Sequence, residues 1–401
     1  MATLAALRGT AAAIAEGHAH TMTAPHAIIA DHVFDGTILH HGVAVVLDGA
    51  RIAAIEPRGS LPDTMPSRIL PPGAWLAPGF IDIQVNGGGD VLFNDQPTPQ
   101  GIATISRAHR RFGTTSLLLT LITDTDETMR AAANAVQTAM GSNPSVLGLH
   151  CEGPFLSPGK PGVHRRDLIR TPEPHHRELL TAWRGGATLV TLAPEQVPSD
   201  FISELVDRGV KVSLGHSMAS YAQTRAAMKA GLSGFTHLFN AMPQLASREP
   251  GPIGAALENP DAYYGLIADG LHVAPATLRL ALRGAGHPML VTDAMPPVGG
   301  ARGSFNLQGR EITVYDGRCT TADGTLGGTL LDMASAVRNC VTLLGARLED
   351  ALRFASTEPA NFLRLGGRLG RIARGFRADL VAFDPADIAV IATWVAGQSS
   401  D

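Results

Sequence analysis

FIDIQV at Phe80–Val85 and TSLLLTLIT at Thr115–Thr123 begin a series of apolar runs that decides how the rest of the 401-residue chain is read. SVLGLH (Ser145–His150), ATLVTL (Ala187–Leu192), VKVSLGH (Val210–His216), GFTHLF (Gly234–Phe239), YYGLIA (Tyr263–Ala268) and PMLVTD (Pro288–Asp293) bring the count to eight. Each is short and mostly apolar on both alternating faces, as strands covered on both sides of a parallel sheet should be. Helical patterns fill most of the gaps, at residues 100–112, 126–139, 174–184, 200–208, 219–230 and 275–285. Eight strand–helix units over roughly 210 residues predict an α/β fold, a TIM-type (β/α)8 barrel.

The flanks have a different texture. Residues 26–70 mix β-formers with Asp-Gly and Gly punctuation, as hairpins do, and residues 366–397 repeat that texture at the other end. Neither piece can bury a core alone. We therefore expect one small β-sandwich domain built from both chain ends (26–75 and 366–401), with a catalytic barrel (76–365) inserted between them. Residues 305–319 read as a further hairpin and 329–357 as two helices closing the barrel. Residues 1–25 are Ala-rich but interrupted by Arg8, Glu16 and histidines, and read as an N-terminal extension rather than a signal peptide.

Composition narrows the function classes. With 32 basic and 36 acidic residues the formal charge is −4 and no basic run occurs, which argues against nucleic acid. Three cysteines without a CxxC spacing exclude a disulfide framework and a four-cysteine zinc site. No apolar stretch reaches the ~18 residues of a membrane span. A cytoplasmic protein without membrane contact is expected.

In such a barrel the functional side chains follow the C-terminal ends of the strands. The runs end in Gln84 and Asn86, in His150-Cys151-Glu152, in His216, in His237 with Asn240 beyond it, in Asp269 with His272 after it, and in Asp293. Taken singly, each histidine has a bland reading as a hydrogen-bonded structural residue, and Asp269 reads equally well as a loop residue. Taken together, His216 and His237 ending successive strands beside Glu152 form a ligand set for a catalytic zinc with an open position. A buried Glu152 must meet a cation, since alone it would cost several kcal/mol. Asp293 is left as the unligated carboxylate that metal-assisted hydrolysis needs as general base. Cys151 points away from Glu152 and reads as packing.

PGFIDIQVNG (Pro78–Gly87), GLHCEGPFLSPGKPGVH (Gly148–His164), LAPE (Leu192–Glu195), GHSMAS (Gly215–Ser220), THLFNAMPQLASREPGPIGAAL (Thr236–Leu257), IADGLHV (Ile267–Val273) and LVTDAM (Leu290–Met295) closely resemble the N-acetylglucosamine-6-phosphate deacetylases of the amidohydrolase superfamily. The resemblance runs in order over about residues 26–398. It implies that Glu152, His216 and His237 hold the metal and that Asp293 is the catalytic acid/base. It also implies that His164 and His272 hold the sugar and the amide, and that Asn240, Ala241 and Arg248 bind the phosphate. Arg248 would reach across from the neighbouring subunit of a homodimer. Where many amidohydrolases carry His-x-His, this chain has Gln84-x-Asn86, so one divalent ion per chain, zinc or another, is expected. Leu119 and Gly327 depart from the family's Pro and Ser; the second bears on the acyl pocket.

The reaction implied is hydrolysis of N-acetylglucosamine 6-phosphate to glucosamine 6-phosphate and acetate, in amino-sugar catabolism. The competing readings are the galactosamine version, a cyclic amidase, and a catalytically dead sugar-phosphate binder. Cyclic amidases usually have His-x-His and a carboxylated lysine at a strand end, and neither is visible here. A mere binder has no need of Asp293.

Overall fold

The computed structural model describes residues 24–183 and 185–400. Its central sheet has eight parallel strands: β1 (Phe80–Val85), β2 (Thr114–Ile122), β3 (Val146–Glu152), β4 (Ala187–Leu192), β5 (Lys211–Leu214), β6 (Gly234–Phe235), β7 (Tyr263–Leu266) and β8 (His287–Leu290). They pair in sequence order from β1 to β8. The last gap is bridged where Asn86 and Gly87 N–H both donate to Ala294 O at 3.0 Å. Beside that bridge the Thr292 hydroxyl donates to Asp82 Oδ2 at 2.5 Å, a buried stitch between the first and last strands. Burial, with a smaller push from the Asp293 charge, raises the Asp82 carboxyl to about 7 against its hydrogen bonds from Thr292 and the Gln84 N–H.

Helices α1 (Pro99–Arg110), α2 (Asp126–Met140), α3 (Pro174–Leu179), α4 (Ser199–Asp207), α5 (Tyr221–Lys229), α6 (Gly251–Glu258) and α7 (Pro275–Ala281) each follow the strand of the same number. Three more, α8 (Met333–Thr342), α9 (Leu348–Ala355) and α10 (Thr357–Phe362), complete the ring. Side chains such as Phe80, Leu118, Val190, Leu214, Tyr264 and Leu290 are buried in one core with the helices. Helix starts follow local chemistry: Thr98, Thr125 and Ser220 cap α1, α2 and α5 through their hydroxyls, and Asp332 caps α8 through its carboxylate.

The first and last strands of the described residues come together in the second unit. A four-stranded sheet (Arg51–Pro57, Val43–Asp48, His26–Ile29, Ser67–Ile69) faces a six-stranded one. In the latter, Trp75–Pro78 lies between His32–Phe34 and Leu380–Asp384. Ile28, Val45, Leu47, Leu76, Leu380 and Trp394 fill the space between them.

Some elements differ from expectation. The run Gly234–Phe239 is a strand for only two residues, because His237, Phe239 and Ala241 turn to positive φ. Helices α3 and α7 stop earlier than 184 and 285. Helix α6 has no counterpart in the sequence reading: GPIGAALE opens like a turn and is buried on nearly every side, so it shows no amphipathic stripe. The expected hairpin at 305–319 is a three-stranded meander (Ser304–Leu307, Arg310–Tyr315, Arg318–Thr320). The extension at 1–25 lies almost wholly outside the described residues. No helix among the described residues is long and apolar enough to cross a membrane.

Candidate active site

Below the mouth, a connected chain of polar side chains runs through an otherwise apolar barrel interior. His150 contacts Thr191 Oγ1 at 2.7 Å and Ile83 O at 3.0 Å, and Thr191, Thr236 and Ser213 continue the chain at 2.6 and 2.7 Å. Burial draws the His150 imidazole down to about 4. This rigid floor carries the strand ends above it.

At the end of β3, Glu152 Oε1 lies 2.9 Å from His237 Nε2 and 3.2 Å from His216 Nε2, and the two nitrogens are 3.1 Å apart. All three side chains are buried. His216 and His237 both sit at positive φ, as do Ala241 and Asp293, so the backbone is bent away from its ordinary regions where four of the expected residues gather. Gly162, at φ +54°, passes so close that a Cβ there would lie 3.2 Å from His216 Cε1.

Tautomers decide what the cluster can hold. His216 Nδ1 meets the Lys160 carbonyl at 2.9 Å, and a carbonyl only accepts. The proton is therefore on Nδ1, and the Nε2 lone pair points at the cluster. Burial would raise the Glu152 carboxyl, but the two imidazoles against it, His216 and His237, hold it well below its usual range. Burial likewise opposes charge on His237, yet Glu152 raises it. A proton here does the job of a cation. Two imidazole nitrogens and a carboxylate oxygen, all from buried side chains and converging on one point, fit a divalent ion.

Asp293, just past β8, is held without joining that trio. Asn86 Nδ2 donates to its Oδ1 at 2.7 Å and Gln84 Nε2 at 3.2 Å, while Gln84 also reaches Glu152 Oε2 at 3.3 Å. Both amides thus act as donors to carboxylates. Burial, with Glu152 adding to it, pushes Asp293 up to about 6; a bound cation would draw it down.

Two histidines flank the pair. His164 Nδ1 takes a backbone N–H from Thr123 at 3.3 Å and lies 2.8 Å from its hydroxyl, so the ring proton is on Nε2. Burial first, then His216, lowers it to about 3 and keeps it neutral. Gly153 makes the contact possible, because a Cβ there would fall 2.2 Å from Thr123 Oγ1. His272 Nδ1 lies 2.6 Å from Asp269 Oδ2, while the Leu271 and His272 N–H groups bond the other oxygen. Burial would raise Asp269, but these contacts hold it below its usual value. Asp269 is thus the orienting partner of His272, a role its place in the sequence left open. Thr123 and Asp82 were not singled out from sequence at all, although Asp82, Gln84 and Asn86 share the period-2 face that would have pointed to Asp82.

A cavity of about 590 Å³ opens over the cluster. Glu152, His216, His237, Asp293, His164, His272, Asn240 and Ala241 all line it. Arg248 does not; it lies exposed on the loop before α6 and makes no ion pair among the described residues. The meander roofs the cavity: Phe305, Leu307, Ile312 and Cys319 pack on Ile122, Val163 and Met295, and residues 324–326 line the opening.

Residues 75–400 match the amidohydrolase family. The chain belongs to the amidohydrolase family. Within it, this amidohydrolase is 44% identical over 326 residues to the N-acetylgalactosamine-6-phosphate deacetylase of Shewanella sp. (strain ANA-3), covering 80% of the chain and 82% of that protein. It is 35% identical to the N-acetylglucosamine-6-phosphate deacetylase of Haemophilus influenzae, covering 88% of the chain and 94% of the relative. The crystal structure of N-acetylglucosamine-6-phosphate deacetylase from Pasteurella multocida superposes with a TM-score of 0.90 at 36% identity, covering 94% and 99% of the two chains.

Proposed function

We propose that this amidohydrolase hydrolyses the acetamide of N-acetylglucosamine 6-phosphate, releasing acetate and glucosamine 6-phosphate. The observation that carries the reading is the buried Glu152–His216–His237 cluster with Asp293 beside it, in the cavity of a chain so similar to deacetylases. Glu152, His216 and His237 would hold one divalent ion, zinc by preference of the ligand set. When bound, such an ion polarises a carbonyl and acidifies water.

The chain's own groups do the rest. Asp293 Oδ takes a proton from the attacking water and hands it to the amide nitrogen as the C–N bond breaks. Gln84 and Asn86 keep that carboxylate aimed. His164, with its proton on Nε2, is the donor suited to the carbonyl oxygen as it gains charge. His272, whose Nδ1 is taken by Asp269, keeps Nε2 for a sugar hydroxyl. Asn240 and the Ala241 N–H receive the phosphate, and Arg248 adds its guanidinium from the neighbouring copy of a homodimer. Its exposed position outside the cavity of its own chain supports that reading. We take residues 76–365 as the catalytic unit and 26–75 with 366–401 as the small domain, in a protein that works in the cytoplasm.

Acetate release from N-acetylglucosamine 6-phosphate by the purified, metal-loaded protein tests the reading; a rate indistinguishable from buffer sinks it. A second reading has its own support, the 44% identity to the galactosamine-6-phosphate deacetylase. Under it, kcat/KM for N-acetylgalactosamine 6-phosphate exceeds that for the gluco epimer when the two are measured side by side.

A further inference from the structure

Glu195 touches neither the cavity nor the metal cluster, yet it grips the segment that presents a ligand. It sits in the turn Pro194–Gln196 directly after β4. Its Oε2 accepts the Ser217 hydroxyl at 2.7 Å and its Oε1 accepts the Met218 N–H at 2.5 Å. These are the two residues that follow His216. Ser217 is fully buried; its oxygen also accepts the Ala219 N–H at 2.9 Å, and its own N–H donates to Ala241 O at 3.1 Å.

His216 needs such a hold. Its φ of +48° is one that a histidine does not adopt freely. Backbone contact fixes the near side, with Ser157 N–H donating to His216 O at 2.8 Å. The far side depends on residues 217 and 218, and a single carboxylate satisfies both of them. Charge-assisted hydrogen bonds of this kind are roughly twice as strong as neutral ones.

We propose that Glu195 is a positioning residue for the metal site: it locks the His216–Met218 turn so that His216 Nε2 stays aimed at Glu152 and His237. Through Ser217 N–H it also fixes the Ala241 backbone, so one acidic side chain braces the metal ligand and the proposed phosphate contact together. Partners that orient metal ligands typically carry 10–100-fold in metal affinity or activity. The inference rests on reading the Glu152–His216–His237 cluster as a metal centre.

The test measures metal retention and needs no substrate. Full-length wild type, Glu195→Ala, Glu195→Gln and Ser217→Ala are loaded with cobalt(II). The visible spectrum is recorded, and loss of the ion to excess chelator is timed. Glu195→Ala should lose cobalt ~10-fold faster or more, with an altered d–d spectrum. Glu195→Gln, which keeps one acceptor, should fall between, and Ser217→Ala should follow it. The metal-free forms of the last two should melt with metal-free wild type. A merely structural Glu195 would lower the metal-free melting temperature and leave the spectrum of the folded holoprotein alone. Spectra and loss rates of Glu195→Gln and Ser217→Ala within about twofold of wild type overturn the proposal, even if Glu195→Ala does not fold. Wild type that takes up no cobalt refutes instead the reading of the cluster on which the proposal stands.

Discussion

Two places among the described residues bring a carboxylate and two histidines together, and they differ in counter-charge and in how their protons are committed. Glu152, His216 and His237 are buried, and no arginine pairs with them. Asp126, His175 and His176 stand on the rim, where Asp126 Oδ1 is already taken by Arg170 at 2.5 Å and Oδ2 by His175 Nε2 at 2.6 Å. His176 Nδ1 accepts the Glu173 N–H at 2.8 Å, which fixes its proton on Nε2, where it donates to Asp126 at 3.2 Å. A metal ion at the rim would have to displace a guanidinium and a committed proton. At the mouth it would displace one proton from a cluster that gains from any cation. Ligand types and spacing do not distinguish the sites; tautomers and counter-charge do.

The largest test of that contrast is metal content. Elemental analysis should give about one divalent ion per chain, as a three-ligand catalytic site requires. His216→Ala or His237→Ala should lose the ion and the activity together, and His175→Ala should keep both. Two ions per chain, or an ion lost with His175, would erase the distinction drawn from the tautomers.

Next in size is the carboxylate beside the mouth cluster. Asp293 is held by Asn86 and Gln84, not by the Glu152–His216–His237 cluster. Asp293→Asn should keep the metal and lower kcat by ~10²-fold or more, the usual span of acid–base catalysis. Activity within about threefold of wild type would show that proton transfer is done elsewhere.

Much of this contrast could be read before the fold was known, and the unread part has a physical pattern. The barrel strands announced themselves because burial on both faces forces continuous apolar runs, and Glu152, His216, His237 and Asp293 stood out as polar endings to them. Cys151, expected as a packing residue, is buried in the core. Gln84 and Asn86, which aim Asp293, stood out in the same way, but the partners that aim His164, His216 and His272 were not legible. Thr123, Glu195 and Asp269 are ordinary polar loop residues until a folded neighbour is beside them. Asp82 was hidden within an apolar run whose interior face, shared with Gln84 and Asn86, is polar. Helix α6 was missed because burial on nearly all sides removes its periodicity. Sequence reveals what each residue is and which face it takes; hydrogen bonds between distant loops come only with the fold.

The arginines of the two sites make a smaller contrast. Arg170 spends its donors on Asp126, Asp124 O and Leu168 O. Arg248 has no ion pair among the described residues, so it is free to meet a phosphate. A charged hydrogen bond to phosphate typically contributes ~1.5–3 kcal/mol. Arg248→Ala should therefore lower kcat/KM for the 6-phosphate by roughly ten- to a hundredfold, mostly through KM, since the phosphate is remote from the amide. Hydrolysis of unphosphorylated N-acetylglucosamine should be slow and unchanged. Equal losses on both substrates would make Arg248 structural.

The smallest effect belongs to the rim cluster itself, which the contrast casts as a clamp. Arg170, His175 and His176 close on Asp126 at the start of α2 and so tie down the far end of the segment that begins at Gly153 and carries His164. Partial burial would raise the Asp126 carboxyl, but the hydrogen bonds from His175, Arg170 and His176 hold it far below the usual carboxylate range. A carboxylate depressed on folding stabilises the native state above its unfolded pKa, and that contribution is lost as pH falls through the folded value. The clamp should therefore be fully present at neutral pH and fade only in strong acid. Asp126→Asn should cost ~1–2 kcal/mol in denaturant unfolding at pH 7, discounted from the buried value because the pair is partly solvated. The difference from wild type should shrink steadily below about pH 4. Metal content should stay at wild type, and kcat/KM within about threefold. If Asp126→Asn instead shed a metal ion, the rim would be a second binding site and the tautomer argument that separates the two clusters would fail.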